Sequence, residues 1–118
     1  MSMIRCKRVY DPSEAEDGYR VLVDRLWPRG LRRDQLALDA WVKDIAPSGE
    51  LRKWYGHRPE RWPEFQLRYR QELARPEATE ALEQLRRMAK GHALTLLTAT
   101  RNVAESHASV LKSVLRAP

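Results

Sequence analysis

The sequence predicts an α/β fold, a single compact domain in which a small, mostly parallel sheet is flanked by helices. Two segments, "YRVLVDRL" and "HALTLLTAT", contain the short aliphatic runs that are found in strands covered on both faces. Between and after them, apolar residues recur at spacings of three and four, which is the helical period. Strand, helices, strand and helix in that order favour at least one parallel crossover connection.

Length and composition indicate one domain spanning residues 1–118. With 42% hydrophobic residues, the chain can bury a modest core without a metal or a disulfide. The single cysteine, Cys6, excludes an internal disulfide framework and is compatible with a reducing compartment. No apolar run approaches the roughly 18 residues that span a bilayer, and the N-terminus lacks the apolar segment of a signal peptide. We therefore expect a cytoplasmic protein with no membrane partner.

Four strands are predicted along the chain. Ile4 and Cys6 alternate with charged residues, which is typical of a half-buried first strand. Residues 21–23 are consecutive aliphatics and predict a central strand. A shorter strand is expected within "LDAWVKDIAP", where Pro47 ends it, and the fourth strand lies in "HALTLLTAT".

Three helices are predicted between the third and fourth strands. Ser48 is a good N-cap for "GELRKWY", and Gly56 can close that helix. A second helix is expected from about Arg61, and a third from about Glu77 to Lys90. The second helix carries an apolar stripe made of Trp62, Phe65, Tyr69 and Leu73.

The last helix is predicted in "RNVAESHASVLKSVLR". Asn102, with Glu105 three residues later, resembles a capping box, so the helix is expected to begin immediately after the fourth strand. His107 falls on the apolar face of this helix and is therefore expected to point inward. It is either a core histidine or a group at the floor of a cleft that acts as acid, base or phosphate donor.

The segments "DRLWPRG" and "TATRN" follow two buried strands and predict a binding site. Ligands of open α/β sheets bind beyond the carboxyl ends of the strands. If the two strands are neighbours, Arg25, Arg29 and Arg101 converge on one mouth, together with the free amides of a helix that begins near Asn102. Guanidinium groups and a helix N-terminus both favour a phosphate or carboxylate.

The other residues of this predicted site each have a plainer alternative. Trp27 either stacks on a ligand or folds onto the core. Asp24 is an acid or base candidate together with His107, or it forms a structural ion pair. Asn102 is a ligand-binding amide, a helix cap, or both.

Several kinds of site are not supported by the sequence. No cysteine lies at a strand end before an arginine loop, and neither the glycine-rich phosphate loops nor a serine nucleophile elbow is present. The three histidines and one cysteine lack metal-ligand spacing, so we expect no metal and no cofactor.

The basic composition leaves a second class of partner open. The chain has 22 basic and 16 acidic residues, a net charge of +6, which favours polyanions. Arginines near Trp54 and Trp62 are candidates for nucleic-acid contacts. Many arginines alternate with glutamates along predicted helices, however, and a solvated helix face explains these as well.

Six segments together resemble the YeaO-like branch of the domain-of-unknown-function family 488. They are "CKRVYDP", "DGYRVLVDRLWPRG", "LALDAWVKDIAPSGELRKWYGH", "RYRQEL", "LTLLTATRN" and "HASVL", in order and over nearly the whole chain. The resemblance implies a compact α/β domain and carries no established activity. Thr98 and Ser106 depart from the tyrosine and asparagine that are common in relatives.

Three functional hypotheses follow. The first is a small cytoplasmic protein, or enzyme, that binds a phosphorylated metabolite, a nucleotide or another anionic small molecule in an arginine-rich cleft. The second is a nucleic-acid-binding or regulatory module without catalysis. The third is a structural or protein-interaction domain with no ligand.

Overall fold

A four-stranded sheet lies at the centre of the structure, a computed structural model that describes residues 3–117. The strand order is β1-β4-β2-β3, and every pair of neighbours is parallel. The predicted α/β fold is therefore confirmed. The strands are β1 (Ile4–Arg8), β2 (Tyr19–Leu22), β3 (Ala40–Trp41) and β4 (Leu94–Thr98).

Four α-helices accompany the sheet, three between β3 and β4 and one after β4. They are α1 (Gly49–Tyr55), α2 (Trp62–Leu73), α3 (Pro76–Ala89) and α4 (His107–Arg116). The Ser48 hydroxyl accepts a hydrogen bond from the Leu51 amide at 3.1 Å, and Gly56, with φ 52°, ends α1. No helix within residues 3–117 is both long and apolar enough to cross a membrane.

The expected start of the last helix is wrong. Residues 103–105 form a short 3₁₀ turn, and α4 begins only at His107. The Asn102 side chain does not cap the turn but donates to the Glu105 carboxylate at 3.2 Å. The Ser106 hydroxyl donates to the Val103 carbonyl at 2.7 Å, and the Tyr55 hydroxyl donates to the Glu105 carbonyl at 2.8 Å. These two bonds hold the turn apart from the helix.

The two faces of the sheet are covered differently. All four helices contribute to the larger apolar cluster, which covers the face that carries Val21, Val23 and Leu96. A smaller cluster on the opposite face joins Leu22 and Leu97 to residues of the β2–β3 connection. The helices that flank the sheet therefore lie on one side, and loops cover the other side.

A buried ion cluster, formed by Asp17, Arg20 and Lys7, lies where the β1–β2 connection enters β2. Asp17 is fully buried and is paired with Arg20. The Lys7 ammonium lies 3.1 Å from both oxygens of the Asp17 carboxylate, and Arg20 Nε donates to the Ala37 carbonyl at 2.8 Å. Burial raises the pKa of Asp17, but hydrogen bonds from the Glu14 amide, Lys7 and Arg20 outweigh it and lower the pKa.

Candidate functional site

The two segments that were expected to form a site leave the same edge of the sheet. β2 and β4 are neighbours, with Leu22 opposite Leu97, and the Val23 amide donates to the Leu97 carbonyl at 3.1 Å. Residues 24–29 and residues 99–100 then line one pocket of about 320 Å³. The pocket is closed by α1, by the loop that follows it and by the first residue of α4.

The pocket is lined by three arginines: Arg25, Arg29 and Arg52. All three residues are exposed to solvent, and the part of the pocket that they line is called its mouth below. Among the described residues that line it, Asp24 is the only acidic one. Arg25 also lines a neighbouring pocket with Asp44, Glu72 and Glu77, but within residues 3–117 none of the three arginines forms an ion pair with a carboxylate.

Hydrogen bonds to other segments hold two of these arginines in place. The Arg29 carbonyl accepts a hydrogen bond from the Tyr10 hydroxyl at 3.0 Å, and Gly30, with φ 81°, makes the turn that follows. Arg25 Nη2 donates to the Ala46 carbonyl at 3.2 Å. A guanidinium has five N–H donors, so Arg25 retains donors for a ligand.

Asp24 joins the ends of three strands. Its Oδ2 accepts from the Ala99 amide at 2.8 Å, and its carbonyl accepts from Trp41 Nε1 at 2.7 Å. Burial raises the pKa of Asp24, but His107, the Ala99 amide and the Thr98 hydroxyl outweigh burial and lower the pKa. The carboxylate is therefore ionised at neutral pH.

His107 lies beside Asp24, and its side chain is only 11% exposed. Its Nε2 is 3.0 Å from the Val23 carbonyl and 3.1 Å from Asp24 Oδ1. Both neighbours are acceptors, so the hydrogen-bond network assigns a proton to Nε2 and leaves Nδ1 as the basic nitrogen. The Nε2 proton is within reach of both the Val23 carbonyl and Asp24 Oδ1, and Oδ1 is buried.

Trp27 lines the pocket but also packs on the core. Its Nε1 donates to the Leu31 carbonyl at 2.6 Å, and its ring meets Trp41 edge-on at 5.4 Å. The Arg33 guanidinium lies 4.4 Å from the centre of the Trp27 ring. These contacts fix the orientation of the ring and agree with the alternative in which Trp27 folds onto the core.

Two residues of the predicted site, Arg101 and Asn102, do not line the pocket. Both are exposed, and Asn102 bonds to Glu105 instead. The free amides at the start of α4 do not lie at Asn102 either, because the helix begins at His107. The pocket thus gathers Asp24, Arg25, Trp27, Arg29 and His107 from the predicted set.

Several lining residues were not among the predicted site residues, and they include Arg52, Tyr55 and His57. Arg52 alternates with other charged residues along α1, a pattern that reads equally well as a solvated face. His57 has φ 57°, the only positive value at a non-glycine residue in the described chain. The "SGELRKW" motif was the one available signal for Arg52.

Other candidate sites offer less. Cys6 Sγ donates to the Ala108 carbonyl at 3.2 Å, and burial raises the pKa of this thiol to about 11, which disfavours the reactive thiolate. No group of histidine, cysteine and acidic side chains within residues 3–117 could hold a metal ion. The Trp54 ring is covered by the guanidinium groups of Arg61 and Arg68, at 5.0 and 4.4 Å from its centre.

The chain is similar to proteins from distant bacteria. The family model described as the inactive DUF488-N3 subclade matches residues 3–118. The uncharacterized protein YeaO of Escherichia coli is 49% identical over 113 residues, 96% of each chain. The uncharacterized protein Rv3073c of Mycobacterium tuberculosis is 49% identical over 112 residues, 95% of this chain and 92% of that protein. No solved structure matches.

Proposed function

The chain belongs to the DUF488 family, as the resemblance of its motifs predicted, and because the matching model is described as the inactive DUF488-N3 subclade, we propose that the protein binds a small anionic ligand without transforming it. The ligand occupies the pocket at the ends of β2 and β4. The description of the subclade supports binding over catalysis. The lone thiol Cys6 is compatible with a reducing compartment, and we place this function in the cytoplasm.

The observation that carries the proposal is the group of three arginines at one pocket mouth, Arg25, Arg29 and Arg52. Arginine presents a planar fork of donors that matches the oxygens of phosphate and carboxylate. The exposed arginines of the helices differ in this respect, because several are paired with a carboxylate one turn away, as Arg86 is with Glu83 at 2.8 Å. Within residues 3–117, none of the three pocket arginines forms an ion pair with a carboxylate.

Titration calorimetry with inorganic phosphate at low ionic strength tests the proposal. Removing a hydrogen bond to a charged group should weaken binding about tenfold for Arg29→Ala and for Arg52→Ala. Arg86→Ala is the matched control, with the same loss of charge outside the pocket, and should retain the affinity of the unchanged protein. Equal losses in all three variants would show that net charge, not the pocket, attracts phosphate.

Acid–base catalysis is the second candidate, favoured by the 3.1 Å contact between Asp24 and His107. It predicts release of inorganic phosphate from ribose 5-phosphate or p-nitrophenyl phosphate, lost in His107→Gln. Binding without release supports the non-catalytic proposal. Turnover that disappears in His107→Gln would overturn it.

A further inference from the structure

We infer that the ligand is an organic anion with an apolar body, such as an aryl phosphate or an aryl carboxylate. Its anionic end lies at Arg29 and Arg52, and its apolar body packs against Leu26. The inference rests on the proposed function and adds the chemical class of the ligand and its orientation. It follows from the apolar wall of the pocket, from the donors that this wall has already used, and from the exposure of one leucine.

Apolar and aromatic side chains contribute a large part of the pocket wall. They include Leu26, Trp27 and Pro28 from the loop after β2, Pro47 before α1, Tyr55 at the end of α1 and Phe65 in α2. The rings of Tyr55 and Phe65 are stacked, with their centres 4.5 Å apart. A wall of this kind is typical of pockets that bind the carbon skeleton of an organic molecule.

The uncharged polar groups of the wall have little capacity left for a ligand. Three donors that line the pocket already bond to backbone carbonyls: the hydroxyl groups of Tyr55 and Ser106, at 2.8 and 2.7 Å, and Nε1 of Trp27, at 2.6 Å. Asp24 Oδ1 is buried beside His107, so a ligand does not reach it. A body rich in hydroxyl groups would therefore find few partners in the pocket, whereas an apolar body needs none.

Leu26 is the apolar side chain that the fold leaves uncovered at the pocket. The residue is 61% exposed, although it lines the pocket. Removing apolar surface from water stabilises a complex in proportion to the area that is covered. A ligand body that packs against Leu26 therefore binds more tightly than an inorganic ion, which covers little of this surface.

The anionic end is assigned to the mouth, because the free charged donors lie there. Arg29 and Arg52 are exposed, line the pocket and form no ion pair within residues 3–117. Arg25 also lines the neighbouring pocket, which contains three carboxylates, so the assignment uses the other two arginines. Leu26 and Arg29 belong to the same loop, and a volume of about 320 Å³ has room for one ring with its anionic group.

Calorimetry with phosphate and phenyl phosphate at low ionic strength tests the inference on the full chain. Phenyl phosphate should bind about tenfold more tightly than phosphate, the gain expected when roughly 60 Å² of apolar surface leaves water. Its heat capacity change on binding should also be more negative, which is the signature of apolar burial. Acetate and benzoate provide the same comparison for a carboxylate, and a preference for the ring in either pair supports the inference.

Leu26→Asn replaces the exposed apolar side chain with a polar one of similar size. In this variant, the preference for phenyl phosphate over phosphate should fall to about threefold or less. Leu67→Asn is the matched control, because Leu67 is 64% exposed on α2 and does not line the pocket. This control should keep the preference of about tenfold. Since both leucines are exposed, both substitutions should leave the fold intact.

Equal binding of the anions with and without a ring, with arginine dependence intact, overturns this inference alone. Arginine variants that bind phosphate as tightly as the unchanged protein overturn the proposed function itself. A preference that is unchanged in Leu26→Asn, or that falls equally in both leucine variants, contradicts packing of the apolar body against Leu26.

Discussion

Two groups of charged residues flank β2, and they differ in how fully their charges are paired within the fold. In the buried ion cluster, Asp17 is fully buried between Arg20 and Lys7, and the Oδ2 atom that pairs with Arg20 also accepts the Glu14 amide at 3.2 Å. At the pocket, Asp24 is held by the Ala99 amide and His107, whereas the arginines Arg25, Arg29 and Arg52 are exposed and form no ion pair within residues 3–117. The first group is closed by its own hydrogen bonds, and the second is open toward the pocket.

An arginine near a strand end therefore indicates a binding site only when no carboxylate of the fold is paired with it. Arg20 lies in β2, and Arg29 lies in the loop that follows this strand. Arg20 is 5% exposed and is paired with Asp17, whereas Arg29 is exposed at the pocket mouth. Charged side chains that are paired with each other stabilise the fold. Exposed charged side chains without such a partner are available to a ligand.

The largest effect is expected from breaking the buried ion cluster. Asp17→Ala leaves Arg20 buried without its carboxylate, which should lower the free energy of unfolding by about 3 kcal/mol. Urea denaturation followed by circular dichroism measures the change. Asp34→Ala, which removes one partner of an exposed pair with Arg32, should cost less than about 1 kcal/mol. A similar small loss for Asp17→Ala would show that the cluster is not a stabilising element.

Removing Arg20 and removing Arg29 should have different effects on the free energy of unfolding. Arg20→Ala should destabilise the protein by about 3 kcal/mol, because it leaves Asp17 buried without its guanidinium partner. Arg29→Ala should change the free energy of unfolding by less than about 0.5 kcal/mol, since its side chain is exposed. Thermal and urea denaturation of the two variants provide the values. Equal destabilisation by both would make Arg29 an architectural residue.

Acidification should weaken both groups. The folded-state pKa values of Asp17 and Asp24 are lowered, so the stability that each carboxylate contributes is fully present above the unfolded pKa of about 3.9 and is lost as the pH falls through the folded pKa. Urea denaturation at a series of pH values from neutral to strongly acid should show this decline. The decline should be shallower in Asp17→Asn, and an identical decline would contradict the assigned shift.

The smallest effect is expected from Arg101. This residue was predicted at the site from its position after β4, but it does not line the pocket. Arg101→Ala should change the phosphate affinity by about twofold or less, through long-range attraction alone. A loss as large as that of Arg52→Ala in the same calorimetric titration would place Arg101 at the anion.

Local patterns were sufficient to predict most of the fold. The aliphatic run in β4, the Ser48 cap and the stripe from Phe65 to Leu73 each depend on neighbours in the chain. The start of α4 was missed because it depends on the Tyr55 hydroxyl, 50 positions away from Glu105. Asn102 and Ser106 are both residue types that favour helix caps, and the pattern of neighbouring residues does not reveal this distant contact.

The candidate site was predicted in part, for the same reason. The sequence predicted that Arg25, Arg29 and His107 share a site only if the two buried strands are neighbours, and the strand order, which the sequence left open, makes them so. Arg52 reaches the pocket only because α1 packs across its mouth, which no periodicity reveals. The coverage of one sheet face by loops is also a property of tertiary packing.

The most direct test of anion binding at this pocket is a titration of the ¹⁵N-labelled protein with phosphate, followed by amide chemical shifts. Shift changes that saturate and cluster at residues 24–29, 52–57 and 99–107 are the predicted result. Shift changes confined to the charged faces of α2 and α3, or changes that grow without saturation over the whole surface, would contradict binding at the pocket.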